Sequence, residues 1–177
     1  TFVGIRNHWL QLVFGIICMA MIANLQYGWP VFVNPIHDQQ GWSRAAIQVS
    51  FTLFVLVETW LVPFEAAFVD RYGPRVMVAI GGVLAGLAWI VDSAATPLPM
   101  LYFGGILAGI GAGIVYGTCI GNALKWFGSR RGLAAGLTSA GFGAGAALTV
   151  IPLTLMVKSN GYQPTFLFFG VVQGLIV

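Results

Sequence analysis

The sequence predicts an all-α membrane protein, six transmembrane helices in one tightly looped bundle. Three observations lead there. Hydrophobic residues make up 58% of the 177 and charged residues only 7%, with a mean hydropathy of +0.88, against about 25% charged residues in ordinary soluble domains. The apolar residues fall into long runs, and crossing the hydrocarbon of a bilayer as a helix takes about 20 residues. The intervals between runs are short and hold Gly, Pro, Asn and Ser together with the lysines and arginines, leaving no room for a soluble domain.

The same features exclude other classes. The net charge of +3 comes from basic residues in short loops, so it forms no solvated nucleic-acid face. Cys18 and Cys119 both fall inside apolar runs, where no structural disulfide is expected. The first run is too long for a signal peptide and more spans follow it. No His-Glu-x-x-His pair or serine–histidine set is present, and His8 and His37 stand at span ends. No enzyme activity, metal or cofactor is therefore expected.

Taken in order, spans are predicted over residues 9–33, 44–69, 75–93, 98–126, 132–157 and from 165 onward. Asn34-Pro35 is expected to end the first helix. Ser43 is placed as the N-cap of the second, and Pro97 and Pro99 open the fourth. A cytoplasmic N-terminus puts Arg6, Arg71, Arg75, Lys125, Arg130 and Arg131 inside and only Arg44 and Lys158 outside, which the positive-inside rule favours. Trp9, Tyr72 and Trp126 then fall at the inner boundary, Trp42, Tyr102 and Tyr162 at the outer one. Three helices followed by an inverted copy of three is the plan this pattern suggests. The chain does not begin with Met and stops within an apolar run. Residues 1–177 are thus expected to be the N-terminal six-helix domain of a longer polypeptide, with its sixth helix cut short.

Within the fourth span, glycine recurs every fourth residue: Gly105, Gly109, Gly113, Gly117 and Gly121. In water each would weaken the helix by roughly 1 kcal/mol relative to alanine. In lipid the backbone stays helical for lack of other partners, and the missing side chains let neighbouring helices approach. Each four-residue step turns roughly 40°, so this stripe winds round a central helix and serves two neighbours in turn. Tyr116 is aimed off the stripe.

The interval Asp70-Arg71-Tyr72-Gly73-Pro74-Arg75 is the most specific signal. Gly73 allows a turn denied to most residues, Pro74 suits a first helical position, and the Asp and Arg charges can lock helix ends together. This interval resembles the loop between helices two and three of the major facilitator superfamily, Asp-Arg-x-Gly-x-Arg. The resemblance implies the N-terminal half of a twelve-helix transporter, with a 3+3 inverted repeat, in which this loop latches the halves during alternating access. The family's glycine four residues before the aspartate is Ala66 here. The stretch from Lys125 to Gly136 has an aromatic pair, Arg130, Arg131 and then Leu-Ala-x-Gly. It is similar to the loop between helices four and five of monocarboxylate transporters and oxalate/formate antiporters.

Amides inside a membrane are expensive without partners, and the first helix carries Asn24 and Gln26, the second Gln48. Gln26, Gln48 and Tyr116 match positions that line the substrate cavity in the antiporters. Tyr27, Leu25 and Phe142 are placed with them as substrate-binding residues. For Gln48, interhelical hydrogen bonding is an equal alternative. Glu58 and, seven residues on, Glu65 share one face of the second helix. An intramembrane carboxyl is by default a functional candidate. Glu58 is the candidate proton site, because the exchangers carry a neutral amide there. Glu65, nearer the inner boundary, is expected to pair with Arg71 or Arg75.

The fifth helix holds Gly132, Gly136, Gly141, Gly143 and Gly145 before Pro152. These are read as packing against the other half of the transporter, in a helix made flexible by the proline. No Lys or Arg lies deep in any span. The resemblance implies that cations of the second half hold the substrate charge. The expectation is thus secondary transport of small carboxylates such as lactate or pyruvate, coupled to protons. Oxalate/formate-type exchange against a counter-anion and drug/proton antiport are the alternatives. Asp70, Arg71, Gly73, Arg75, Arg130 and Arg131 would form the cytoplasmic gate. The expected partners are the substrate, the lipid bilayer and the C-terminal half, with no nucleic acid, in a functional monomer of the cell membrane.

Overall fold

The computed structural model describes residues 7–177, so Arg6, counted above among the inner cations, lies outside the described residues. Their regular structure is helical throughout, eight segments strung as six rods. Rod one is α1 (His8–Tyr27) with α2 (Trp29–Gln40), and rod two is α3 (Arg44–Trp60) with α4 (Val62–Tyr72). Rods three to six are α5 (Pro74–Ser93), α6 (Leu98–Trp126), α7 (Arg131–Asn160) and α8 (Tyr162–Ile176). Helices α1, α5, α6 and α7 are each long and apolar enough to cross a membrane, and α3 with α4, bent by 55°, makes a fifth span. The sixth expected span is α8, with 15 residues.

Local chemistry sets most boundaries as expected. The Ser43 hydroxyl accepts the Ala46 N–H at 3.2 Å and caps α3. Gly73 takes φ +85° and hands over to Pro74, the first residue of α5. Pro97 in extended conformation precedes α6. Rod one departs from expectation: it runs through Pro35 to Gln40 and stops at Gly41, φ +72°, whose N–H returns to the His37 carbonyl. A proline interrupts one hydrogen bond, whereas a left-handed glycine turns the chain out of the helix. Asn34 meanwhile accepts from Arg44 Nε at 2.8 Å.

The rods break elsewhere. Rod one is interrupted at Gly28 and rod two at Leu61. Pro30 and Pro63 follow two residues later in each case, and a proline lacks the N–H that the carbonyl four residues earlier would accept. Helix α7, expected to be flexible at Pro152, is continuous through it.

Rod four sits at the centre, with α6 packed on α5, α3, α1, α7 and α4. The other principal pairs are α1 with α7 and α5 with α8. Exchanging the first three rods with the last three preserves part of this pattern, although the extensive pair of rods three and four maps onto rods six and one, which barely touch. The pair of rods one and five becomes that of four and two, while one–four and three–six map onto themselves. Three crossings are an odd number, so the second triplet starts on the opposite side, which is the inverted repeat.

The glycine stripe of α6 makes the central contact with rod two. A methyl on Gly105 would lie 2.6 Å from the carbonyl and hydroxyl oxygens of Ser50. One on Gly109 would lie 2.6 Å from the Phe54 carbonyl oxygen, and one on Gly113 2.8 Å from Glu65 Oε1. The stripe stops there: Gly117 and Gly121 have open space where a side chain would be, so they are not packing positions. The second neighbour is served instead from another face, where Gly111 lies against Gly81 and Ala85 of α5. In α7, Gly141 and Gly145 pack against Ile16 and Ala20 of α1, within this bundle rather than against another half; Gly132, Gly136 and Gly143 face open space.

Away from the stripe, Phe32 stacks on Phe166 at 4.1 Å between centroids, with Trp89 beside both. Trp89 Nε1 donates to Gln173 Oε1 at 2.9 Å, and Gln173 Nε2 donates to Asn24 Oδ1. These buried contacts fasten rods one, three and six.

Candidate functional site

At mid-length, a cavity of about 600 Å³ opens on the flank of the bundle. Gln26 and Tyr27 reach it from α1, Glu58 and Thr59 from α3, Tyr116 from α6 and Phe142 from α7. Breaks and glycines shape it. Gly28 and Leu61 interrupt the two rods beside it, while Gly113, Gly117 and Gly143 leave its wall without side chains. Pro30 and Pro63 have no N–H to give the Gln26 and Thr59 carbonyls.

The aromatic wall is ordered around one ring. Phe142 meets Tyr27 edge-on at 5.5 Å and Tyr116 edge-on at 5.4 Å. Phe142 is buried and Tyr116 half-buried, while Tyr27 is exposed toward the opening. The lining offers one amide, two phenols, one carboxyl and the hydroxyls of Thr59 and Ser139. These groups donate and accept hydrogen bonds, and among the described lining residues none is cationic.

Two expected residues lie elsewhere. Leu25, next to Gln26 in sequence, is turned roughly 100° round the helix and is buried against Trp29, Ser50, Phe54 and Trp89. Gln48 is exposed away from the cavity, and its Oε1 accepts Trp29 Nε1 at 3.1 Å. This bond joins α2 to α3.

The acids of rod two also separate. Glu58 is on α3 and Glu65 on α4, across the 55° bend, so they do not share one helix face. Glu65 does not pair with Arg71 or Arg75. It is 6% exposed, faces Gly113 of α6, and neither carboxyl oxygen has a hydrogen-bond partner.

The loop at the end of rod two is tied differently from the expectation. Asp70 Oδ1 is 3.0 Å from Lys125 Nζ on α6, the one ion pair among the described residues. Arg71 lies over the Tyr72 ring at 5.5 Å, and Arg75 lines a separate cavity with Cys18 and Cys119, which are free thiols. Arg130 and Arg131 are exposed at the start of α7. Sequence reasoning counted Lys125 only as a loop charge and missed two further groups. One is Thr118, buried in α6 with an unpartnered hydroxyl. The other is Asp92, 5% exposed in α5, whose signal was a lone acid in the last turn of an apolar span.

The architecture defines a class: a polytopic α-helical membrane protein with a cavity at mid-length lined by Gln26, Tyr27, Glu58 and Tyr116. The chain belongs to the Major Facilitator Superfamily, whose family model matches residues 12–177. It is 37% identical to an oxalate:formate antiporter of Oxalobacter formigenes, across 97% of this chain and 41% of that protein. An uncharacterized 38 kDa protein in a 23S RNA operon of Thermoproteus tenax is 33% identical across 94% of this chain and 44% of its own length. Monocarboxylate transporter 11 of Homo sapiens is 35% identical across 68% of this chain and 26% of that protein. The chain therefore spans less than half the length of these relatives.

Proposed function

We propose that the whole protein is a secondary active transporter of small carboxylate anions, working by alternating access, with residues 1–177 as its N-terminal six-helix half. The observation that carries this reading is the convergence of Gln26, Tyr27, Glu58, Tyr116 and Phe142, from four rods, on one open cavity of about 600 Å³. The amide and phenols supply hydrogen-bond donors to a carboxylate, and a cation from a C-terminal half of the same polypeptide supplies the opposing charge. Glu58 carries the coupled proton, which makes the transporter a monocarboxylate/proton symporter. The loop from Asp70 to Arg75 lies on the cytoplasmic side and, tied to Lys125, controls closure there. The protein acts as a monomer in the cell membrane.

A second reading, exchange of one carboxylate for another, is favoured by the 37% identity with the oxalate:formate antiporter. Counterflow in proteoliposomes with the complete polypeptide separates the two. Lactate uptake driven by an acid exterior is the symporter result. Oxalate uptake that requires internal formate or oxalate and ignores the pH gradient is the exchanger result. Movement of neither substrate would overturn the carboxylate reading.

A further inference from the structure

Glu65 has no part in the carboxylate site, yet its setting is unusual. Both of its oxygens are buried without a partner, and so is the Thr118 hydroxyl across from it on α6. Glu65 and Thr118 are 6% and 1% exposed. They line a second cavity, about 250 Å³, which extends along α4 and α6 past Asn122 to the Asp70–Lys125 pair. That volume holds several waters, and a wet cavity needs the polar lining these residues give it.

The second cavity abuts the first. Val62 and Gly117 line both. The Glu65 carboxyl rests on Gly113, a wall residue of the mid-length cavity, where a methyl group would lie 2.8 Å from Oε1. Glu65 is thus built into the partition, with the Glu58 cavity on one side and the Asp70 end of the bundle on the other. A carboxylate buried without a partner is strongly unfavourable. Such a group is stable in this place only with positive charge on it or beside it. The ionisable groups facing this partition are Glu58 on α3, Asp70 on α4 and Lys125 on α6. Helix α5 contributes Pro74 to the wall, while its Arg75 lines the neighbouring cavity with Cys119 of α6.

We propose that Glu65 is a proton-transfer station between the mid-length cavity and the Asp70 end, with the Thr118 hydroxyl lining the same cavity. The resting Glu65 carboxylic acid gives its proton to water in the second cavity. Briefly ionised, it takes up the proton released by the Glu58 carboxyl, which leaves Glu58 ionised and Glu65 protonated again. One proton crosses the partition and no other bond changes. Gly113 is required because a side chain there would occupy the place of the carboxyl. This assignment rests on the proton-coupled reading of the transporter.

The test uses the complete polypeptide in proteoliposomes with a pH indicator trapped inside. In the wild-type protein, an acid exterior with lactate is expected to acidify the lumen. Glu65→Gln is expected to lose that acidification and gradient-driven accumulation while keeping lactate counterflow. Acidification that persists in Glu65→Gln would overturn the station. So would joint loss of acidification and counterflow at wild-type abundance, since Glu65 would then serve the substrate site or the fold. An independent readout needs no transport. In infrared pH titration, a protonated-carboxyl band sensitive to deuteration is expected in the wild type, unmoved by sodium and missing in Glu65→Gln. If lactate counterflow fails in the wild type but this band is present, the carboxylate reading falls and the station stands. Absence of the band from the wild type, or its displacement by sodium, overturns the station.

Discussion

The Ser50 hydroxyl donates to the Leu101 carbonyl at 2.9 Å and, with its own carbonyl oxygen, fills the space where Gly105 has no side chain. The contact is backbone to backbone and admits no methyl group. Gly105→Ala is expected to lower stability by about 1–3 kcal/mol, the range for overpacking a close contact. Gly121→Ala meets nothing within 4 Å and should melt with the parent protein. Thermal unfolding of the two variants in detergent checks the contrast.

Gln173 bridges two partners, accepting from Trp89 and donating to Asn24. Truncation to alanine strands both groups in a buried site. A loss of about 1–2 kcal/mol is expected, at the upper end for hydrogen bonds between membrane helices. Gln48→Ala, at an exposed acceptor, should fall well below that in the same denaturation series.

Tyr116→Phe removes a hydroxyl and keeps the ring that meets Phe142. Membrane abundance should be unchanged and the half-saturation concentration for carboxylate should rise by about fivefold, the equivalent of one hydrogen bond of about 1 kcal/mol. Uptake identical to the parent would take Tyr116 out of the site.

Asp70 and Lys125 are 72% and 68% exposed in their pair, so either single neutralisation should cost less than about 1 kcal/mol of stability. Their effect is expected in rate. Reversing one charge should slow counterflow, and reversing both, Asp70→Lys with Lys125→Asp, should restore it. A double reversal no faster than the singles would show that the pair does not set closure.

Much of the fold was legible because a bilayer dictates both helix and length. The fourth span, read over 98–126, is α6 to the residue. The breaks were not legible in the same way. Four prolines lie in or beside the relevant rods, yet Pro35 and Pro152 sit inside continuous helices while Pro30 and Pro63 follow interruptions.

The site was half legible for a related reason. Gln26, Tyr27, Glu58 and Tyr116 stand out as polar or amphipathic groups in apolar spans, and they do converge. Leu25 was included for its sequence neighbourhood, but one residue along a helix is another face. Glu65 lies six residues from Arg71 in sequence, and its actual neighbours are Gly113 and Thr118 of α6. Sequence proximity of opposite charges favours a salt bridge on paper, but six residues along α4 put Glu65 and Arg71 on different faces of one helix.

That bend and the fading glycine stripe give rod four a mechanical character. Over Gly105 and Gly109 it is gripped by rod two at backbone distance, at Gly113 it meets the Glu65 carboxyl, and from Gly117 on that grip ends. Relative to rod two it behaves as a cantilever, clamped along one half and free along the other. The Asp70–Lys125 tie near the free tip is then a soft spring, easily stretched by solvent and salt.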